Sequence, residues 1–295
     1  MHGIKKTQNT WLKNYKVEKI FYRGHLYKQT LKYLKKQSNL NCSKVLFLFN
    51  NFINKKYPIC NILLYDKKIV GFVGTTFSQK KSNKKTFLNC NIHSWMVDTS
   101  HRISSSILIN QIKDNCTITV LSSLPRLSKT FLKLGFKKFN MEYKIVFIKK
   151  FFFKNDNSSF KILDKPNLLI KKITNSEQKI FKDYKSTRFK KFIFFDLITK
   201  KKCFMICDLI KKKKLIETLN IIYCSDKNFL KRNLVNFYLL IQKHFKVYFC
   251  GEFYIDKSQS ILANTNLSKI TKKTIYLKNF PNNYKFDLLY SETEF

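Results

Sequence analysis

Acidic residues, glycine and proline are all in short supply in this sequence. Its 295 residues include 18 Asp and Glu against 58 Lys and Arg, with 6 Gly and 4 Pro. So little Gly and Pro excludes collagen-like and linker-type low-complexity proteins, whose composition rests on both. No apolar run approaches the roughly 20 residues that a membrane-spanning helix needs. The opening Met-His-Gly-Ile-Lys-Lys-Thr-Gln-Asn-Thr holds no apolar segment of the kind a secretory leader carries. There is no C-x-x-C pair among the 8 cysteines: Cys42, Cys60, Cys90, Cys116, Cys203, Cys207, Cys224 and Cys250. Cys203 and Cys207 lie too far apart along a strand for a tight metal pair, so no metal site is expected. Most of the others sit in or beside apolar runs. They read as buried, reduced thiols, and the expected compartment is the cytoplasm.

What is present is a large apolar fraction, 44%, with 29 Phe. That is ample for one large or two medium cores at this length. The formal net charge is +40, which ordinarily points to nucleic acid or an anionic surface. Here the excess is Lys, accompanied by excess Asn, Ile and Phe, the joint bias of AT-rich coding. The lysines are scattered. Their dense runs, 80–85, 200–202 and 211–214, fall between expected strands, as solvated loops do. Nucleic acid is therefore not the expected partner.

The most informative stretch is Ile92 to Phe136. It reads as a strand, a tight turn, a helix, a second strand and a second helix. The turn Val97-Asp98-Thr99-Ser100-His101-Arg102 feeds Ile103-Ser104-Ser105-Ser106-Ile107-Leu108. The first N–H groups of a helix lack intrahelical partners, and its dipole favours negative charge there. The serines are short enough for a phosphate to reach the backbone, and Arg102 adds a fork matched to phosphate. The blander alternatives are a loop-capping Arg102 and a serine N-cap cluster without a ligand.

This order of elements resembles the GNAT superfamily of acyl-CoA-dependent N-acyltransferases. In that family the turn reads roughly Val-x-x-x-x-Arg-x-x-Gly-x-Gly or Ala and holds the pyrophosphate of coenzyme A. Val97 and Arg102 match; the two small positions fall on Ser105, still small, and Ile107, which is not. The family's later helix often ends in a Tyr-Glu-Lys-Leu-Gly-Phe-like run. Leu134-Gly135-Phe136 match, but the tyrosine that often serves as general acid falls on Phe131. The resemblance covers roughly the first half of the chain.

It implies acetyl-CoA or another acyl-CoA as substrate, with a small amine or amino sugar as acceptor. Arg102 and the backbone of Ile103, Ser104, Ser105 and Ser106 would hold the pyrophosphate. A backbone N–H around Met96 and Val97 would polarise the thioester carbonyl. The family commonly draws a base, often Glu, from this strand or its neighbour; no Glu is present here. His93 is the strand residue whose ordinary pKa suits a base, with a structural histidine as the alternative. Ser122 or Ser123, where the family splays two strands, would hold a thiolate or the acceptor, or simply close the strand.

Elsewhere the patterns predict helices over 25–36 and 45–53, strands over 60–65 and 69–77, and a basic loop over 79–86. On the strand 87–97, alternation places His93, Trp95 and Val97 together on one face. A helix is expected over 104–115, then a strand over 117–121. Pro125 starts the next helix and Gly135 ends it; a closing strand follows over 139–147. The expected fold is α/β (α+β): a GNAT-like central sheet, mixed but mostly antiparallel, flanked by helices over 1–153. A polar linker, 154–166, leads to a second, smaller α+β domain over 167–295. There a helix is expected over 176–191, strands over 192–197, 203–209 and 215–224, a helix over 228–245 and a strand over 247–255. This half weakly repeats the first, without the arginine turn. It reads as a degenerate GNAT-like domain, with an unrelated α+β domain as the alternative.

Overall fold

The structure is a computed structural model. It describes residues 14–37, 45–46, 56–82, 85–112, 115–121, 124–148, 159–184, 188–212, 216–262 and 268–281. Cys42, Ser122, Ser123 and nearly all of the helix expected over 45–53 lie outside the described residues.

The strands are β1 (Tyr15–Ile20), β2 (Cys60–Tyr65), β3 (Lys68–Ser82), β4 (Lys85–Val97), β5 (Cys116–Val120), β6 (Lys137–Phe147), β7 (Phe160–Leu163), β8 (Phe189–Asp196), β9 (Lys202–Lys212), β10 (Ile216–Cys224), β11 (Phe249–Tyr254) and β12 (Ser268–Lys278). They form one 12-stranded sheet in the order β1-β2-β3-β4-β5-β12-β6-β11-β10-β9-β8-β7. This order is palindromic. Exchanging β1 to β6 for β7 to β12 returns the same sheet, and the pairings follow. Only β4–β5 and β10–β11 are parallel; every other neighbouring pair is antiparallel. At the centre the halves interleave, because β12 pairs with both β5 and β6. The sequence repeat is faint, yet the strand plan is repeated in full.

Helices cover both faces. In the first half, α1 (Tyr27–Lys35) buries Leu34 against Ile20, Ile62 and Phe72. On the opposite face, α2 (Ser106–Asn110) and α3 (Ser128–Lys133) bury Leu108, Ile109 and Phe131 against Leu63, Val73, Cys90 and Ile92. In the second half, α4 (Pro166–Lys172) and α5 (Asn175–Asp183) pack Leu169 and Ile180 on one face, with Tyr184 just beyond them. On the other, α6 (Lys227–Arg232) and α7 (Leu234–Phe245) bury Phe229, Leu230, Phe237 and Ile241. Local signals are read as written. Thr174 and Glu177 form a reciprocal capping box at α5. Gly135, at φ 81°, ends α3, and Phe136 N–H returns to the Phe131 carbonyl at 3.1 Å.

Several expectations need correction. At the lysine run, Lys80, Lys81 and Ser82 are strand and not loop, paired with Phe87, Thr86 and Lys85. A ladder needs only backbone groups, so lysine does not interrupt it. The three-turn helix over 104–115 is a 3-10 turn, Thr99–Ser104, followed by the 5-residue α2. The helix over 176–191 ends at Asp183, and Phe189 already belongs to β8. Aromatic residues buried on a pleated surface outweigh any helical periodicity there. The helix over 228–245 is broken at Asn233, where φ is −120°. Within the segment 154–166, Phe160–Leu163 pairs with β8, and Phe160 stacks on Phe194 at 5.2 Å between ring centres. Polar composition at 154–158 masked this short strand.

Candidate functional site

The site is built around the C-terminal half of β4. Its parallel ladder with β5 runs from Leu88 opposite Cys116 to Asn91 opposite Thr119 and stops. β4 continues to Val97, while β5 is held on its other edge by β12, with Tyr276 opposite Val120. The β4–β5 ladder thus ends at Asn91 and Thr119, one residue before the end of β5, and β4 runs on past it to Val97.

A bulge lies on the free part of β4. Gly74 pairs with His93 and Phe72 with Met96, so Ser94 and Trp95 together face Val73. Ser94 takes the left-handed φ of 53°, and the extra residue reverses the alternation. This corrects the expectation that His93 and Trp95 share a face. Ile92, Trp95 and Val97 pack with α2 and α3, and Met96 packs with Phe72 under α1. His93 lies on the α1 side, over Gly74. The bulge also aims the backbone. Asp98 N–H donates to the Val70 carbonyl on β3 at 2.8 Å. Adjacent strand residues direct N–H to opposite edges, so Met96 N–H points toward β3 and Val97 N–H away from it, along the edge of β4 that β5 no longer covers.

His93 is 4% exposed and its Nδ1 is 3.2 Å from Ser94 Oγ. Burial pushes its pKa down to about 3, because a buried imidazolium loses its hydration. It is neutral throughout the neutral range and binds a proton poorly there, which departs from the expected base near neutrality. Its ring fills the space a side chain would need at residue 74: a Cβ there would lie 2.1 Å from His93 Cε1. Gly74→Ala should therefore lower stability by about 1–3 kcal/mol. The companion change His93→Ala should restore part of it, as read from urea melts.

The same face carries a row that sequence reasoning missed. Thr76, Ser78, Asn89, Asn91, Thr117 and Thr119 are all buried, and Thr119 Oγ1 donates to Asn91 Oδ1 at 3.1 Å. The signal was present in Asn89-Cys90-Asn91-Ile92-His93, a polar-apolar alternation whose polar half is also interior.

On the other face, Phe131 is 1% exposed. Its ring centre lies 4.9 Å from Tyr276, 5.5 Å from Trp95 and 5.3 Å from Phe136. An aromatic cluster thus occupies the position where a tyrosine hydroxyl was sought. Trp95 Nε1 is buried without a hydrogen-bond partner among the described residues.

After β4 the chain turns at Asp98, whose Oδ1 accepts from Tyr33 Oη on α1 at 2.8 Å. Burial, then this carboxylate, raises the Tyr33 pKa. His101 is held by Tyr15 Oη at 2.9 Å, with the Tyr65 ring 4.8 Å away. Just after these anchors Arg102 is exposed, and Ile103 is 93% exposed. Ser104 is buried, Ser105 and Ser106 are half-buried, and Ser105 N–H already donates to the Arg102 carbonyl at 3.1 Å. With α2 so short, the dipole contribution is small, and Arg102 is the main positive group at the corner. Among the described residues no cluster of His, Cys, Asp and Glu fits a metal ion, and no helix is long and apolar enough to cross a membrane.

No family model and no curated protein matches the sequence. Solved structures do. A GCN5-related N-acetyltransferase from Anabaena variabilis superposes with a TM-score of 0.61 at 10% identity, over 89% of this chain and 72% of that one. A probable N-acyltransferase from Enterococcus faecalis gives 0.56 at 13% identity, over 89% and 71%. A GCN5-related N-acetyltransferase from Kribbella flavida gives 0.56 at 7%, over 89% and 70%.

The chain has the GNAT fold.

The superposed length, 89% of the chain, exceeds either half. In the second half, the turn that follows β10 stands where the Arg102 turn stands in the first. There Asp226 Oδ1 accepts from Phe229 N–H at 2.9 Å as the N-cap of α6. A carboxylate on this helix start opposes an anion.

Proposed function

We propose that the protein is an acyl-CoA-dependent N-acyltransferase that moves an acyl group, such as acetyl, to an amine of a small molecule or sugar. The observation that supports this reading is the GNAT fold, with β4 bulged where it runs on beyond its ladder with β5. The pantetheine arm would lie along the unpaired edge of β4, and Arg102, with the backbone of Ile103 to Ser106, would take the pyrophosphate. The acceptor nitrogen attacks the thioester carbonyl. The new N–C bond forms, the C–S bond breaks, and the coenzyme thiolate leaves and is protonated. Charge gathers on the carbonyl oxygen, and Val97 N–H faces the space where it would lie. His93 is better suited to shaping the strand than to taking the amine's proton, which then passes to water. The scarcity of acidic residues argues against a polyamine acceptor.

Binding is the direct test. The chain holds 2 Trp, Trp11 and Trp95, so a Trp11→Phe background makes the emission report Trp95. Acetyl-CoA should change that emission and raise the melting temperature. Arg102→Ala should weaken binding by about 10–100-fold, the worth of a charged hydrogen bond of about 1.5–3 kcal/mol. Its own melting point should be unchanged, because Arg102 is exposed. Absence of both responses at millimolar acetyl-CoA would remove the proposal. A second reading, a GNAT-fold protein that binds coenzyme A without catalysis, is favoured by the buried Phe131 cluster. It predicts the same binding with no acyl transfer to any amine.

A further inference from the structure

The cysteines of the second half form an arrangement that acyl transfer does not use. Cys203 is the second residue of β9 and Cys224 closes β10. Cys224 pairs with Met205, and Ser225 N–H donates to the Phe204 carbonyl at 3.0 Å. Cys203 and Cys224 are thus diagonal neighbours across two antiparallel strands, on one face of one core. Their sulfurs are 3.3 Å apart.

The surroundings favour a thiolate on one of them. The Cys224 thiol lowers the Cys203 pKa first; burial opposes it, and the Ser225–Asp226 turn adds to the lowering, so the net direction is down. Cys224 is raised by the same contact and by burial. In the first half the corresponding turn carries Arg102; in the second, the Ser225 hydroxyl lies beside the Cys203 sulfur. Access is short. Cys203 is fully buried, but Cys224 is 9% exposed, and the exposed Ser225 places its hydroxyl 3.9 Å from Cys203 Sγ.

We propose that Cys203 and Cys224 are an oxidative modification site, closing a reversible cross-strand disulfide when the protein meets a hydroperoxide. The Cys203 thiolate attacks a peroxide oxygen. The O–O bond breaks, hydroxide leaves and is protonated to water, and Cys203 becomes a sulfenic acid. Cys224 then gives up its proton as its sulfur attacks the Cys203 sulfur, and the S–O bond breaks to release a second water. Two thiols and one hydrogen peroxide yield one disulfide and two waters. A small dithiol reverses the step by exchange.

The test uses the full native chain and hydrogen peroxide. After quenching and alkylation in denaturant, peptide mapping should find Cys203 linked to Cys224, with the link lost after dithiothreitol. In Cys224→Ser the reaction should stop at a Cys203 sulfenic acid that dimedone traps. In Cys203→Ser, Cys224 should remain a thiol. Recovery of both cysteines as free thiols from the native wild type would overturn the assignment. So would a link joining Cys90 to Cys116 in place of this pair. The wild-type map decides the matter even if a variant folds poorly.

Discussion

Lowering the pH from about 6.5 to about 3 should destabilise the protein by about 5 kcal/mol through His93 alone. Burial takes its pKa from 6.5 to about 3. The unfolded chain begins to take up this proton near pH 6.5, whereas the folded chain refuses it until about pH 3. Between those values the unfolded state binds more protons, so stability rises with pH, by roughly 1.4 kcal/mol per unit for one group. At pH 7 both states are neutral and nothing is lost. Urea melts at a series of pH values should show this slope, and His93→Gln, which cannot titrate, should be flatter by that amount. Equal slopes in the two proteins would mean that His93 reaches water, and the packing over Gly74 would be misplaced. A loss of this size is comparable to the whole stability of many domains.

Glu252→Ala should cost about 3–5 kcal/mol, the range for breaking a buried ion pair. Glu252 on β11 lies opposite Lys144 on β6, where the halves of the sheet join. The two side chains are 4% and 3% exposed, and Lys144 Nζ is 3.9 Å from Glu252 Oε1. More of the work is done by hydrogen bonds. The carboxylate accepts from Ile261 N–H at 2.7 Å, Leu262 N–H at 2.9 Å and Ser260 Oγ at 2.6 Å. Lys144 Nζ donates to the Leu262 carbonyl at 2.7 Å and to Ser260 Oγ at 3.0 Å. The pair thus pins residues 260–262 onto the sheet. Many buried pairs can be replaced by apolar residues at little cost. Lys144→Met with Glu252→Leu should not recover stability here, because two backbone N–H groups would be left unpaired. Denaturant melts read both variants; a Glu252→Ala protein within 1 kcal/mol of wild type, about the ordinary cost of a substitution, would refute the argument.

Much of the fold was legible because its signals are local. β2 is one apolar run, its hairpin turn is Asp66-Lys67, and Pro125 and Gly135 bracket the α3 region. The Arg102 turn announced itself by residue type. A glycine inside a strand marks a bulge or a close neighbour, and Gly74 on β3 has both. Helix lengths were less readable. Nothing in Ser104 to Asn115 shows that the chain turns once in α2 and then leaves for β5. The Lys80 to Lys85 run conceals paired backbone.

The sequence by itself determined which stretches are apolar enough to be buried, where the turns fall, and that a basic corner follows β4. Tertiary structure alone decided three things. It set β12 between β5 and β6, a pairing of residues more than a hundred positions apart that no short-range pattern encodes. It placed the bulge at Ser94, which sends His93 and Trp95 to opposite faces although alternation puts them together. It also decided the charge state of His93, because desolvation depends on what surrounds the ring and not on its neighbours in the chain.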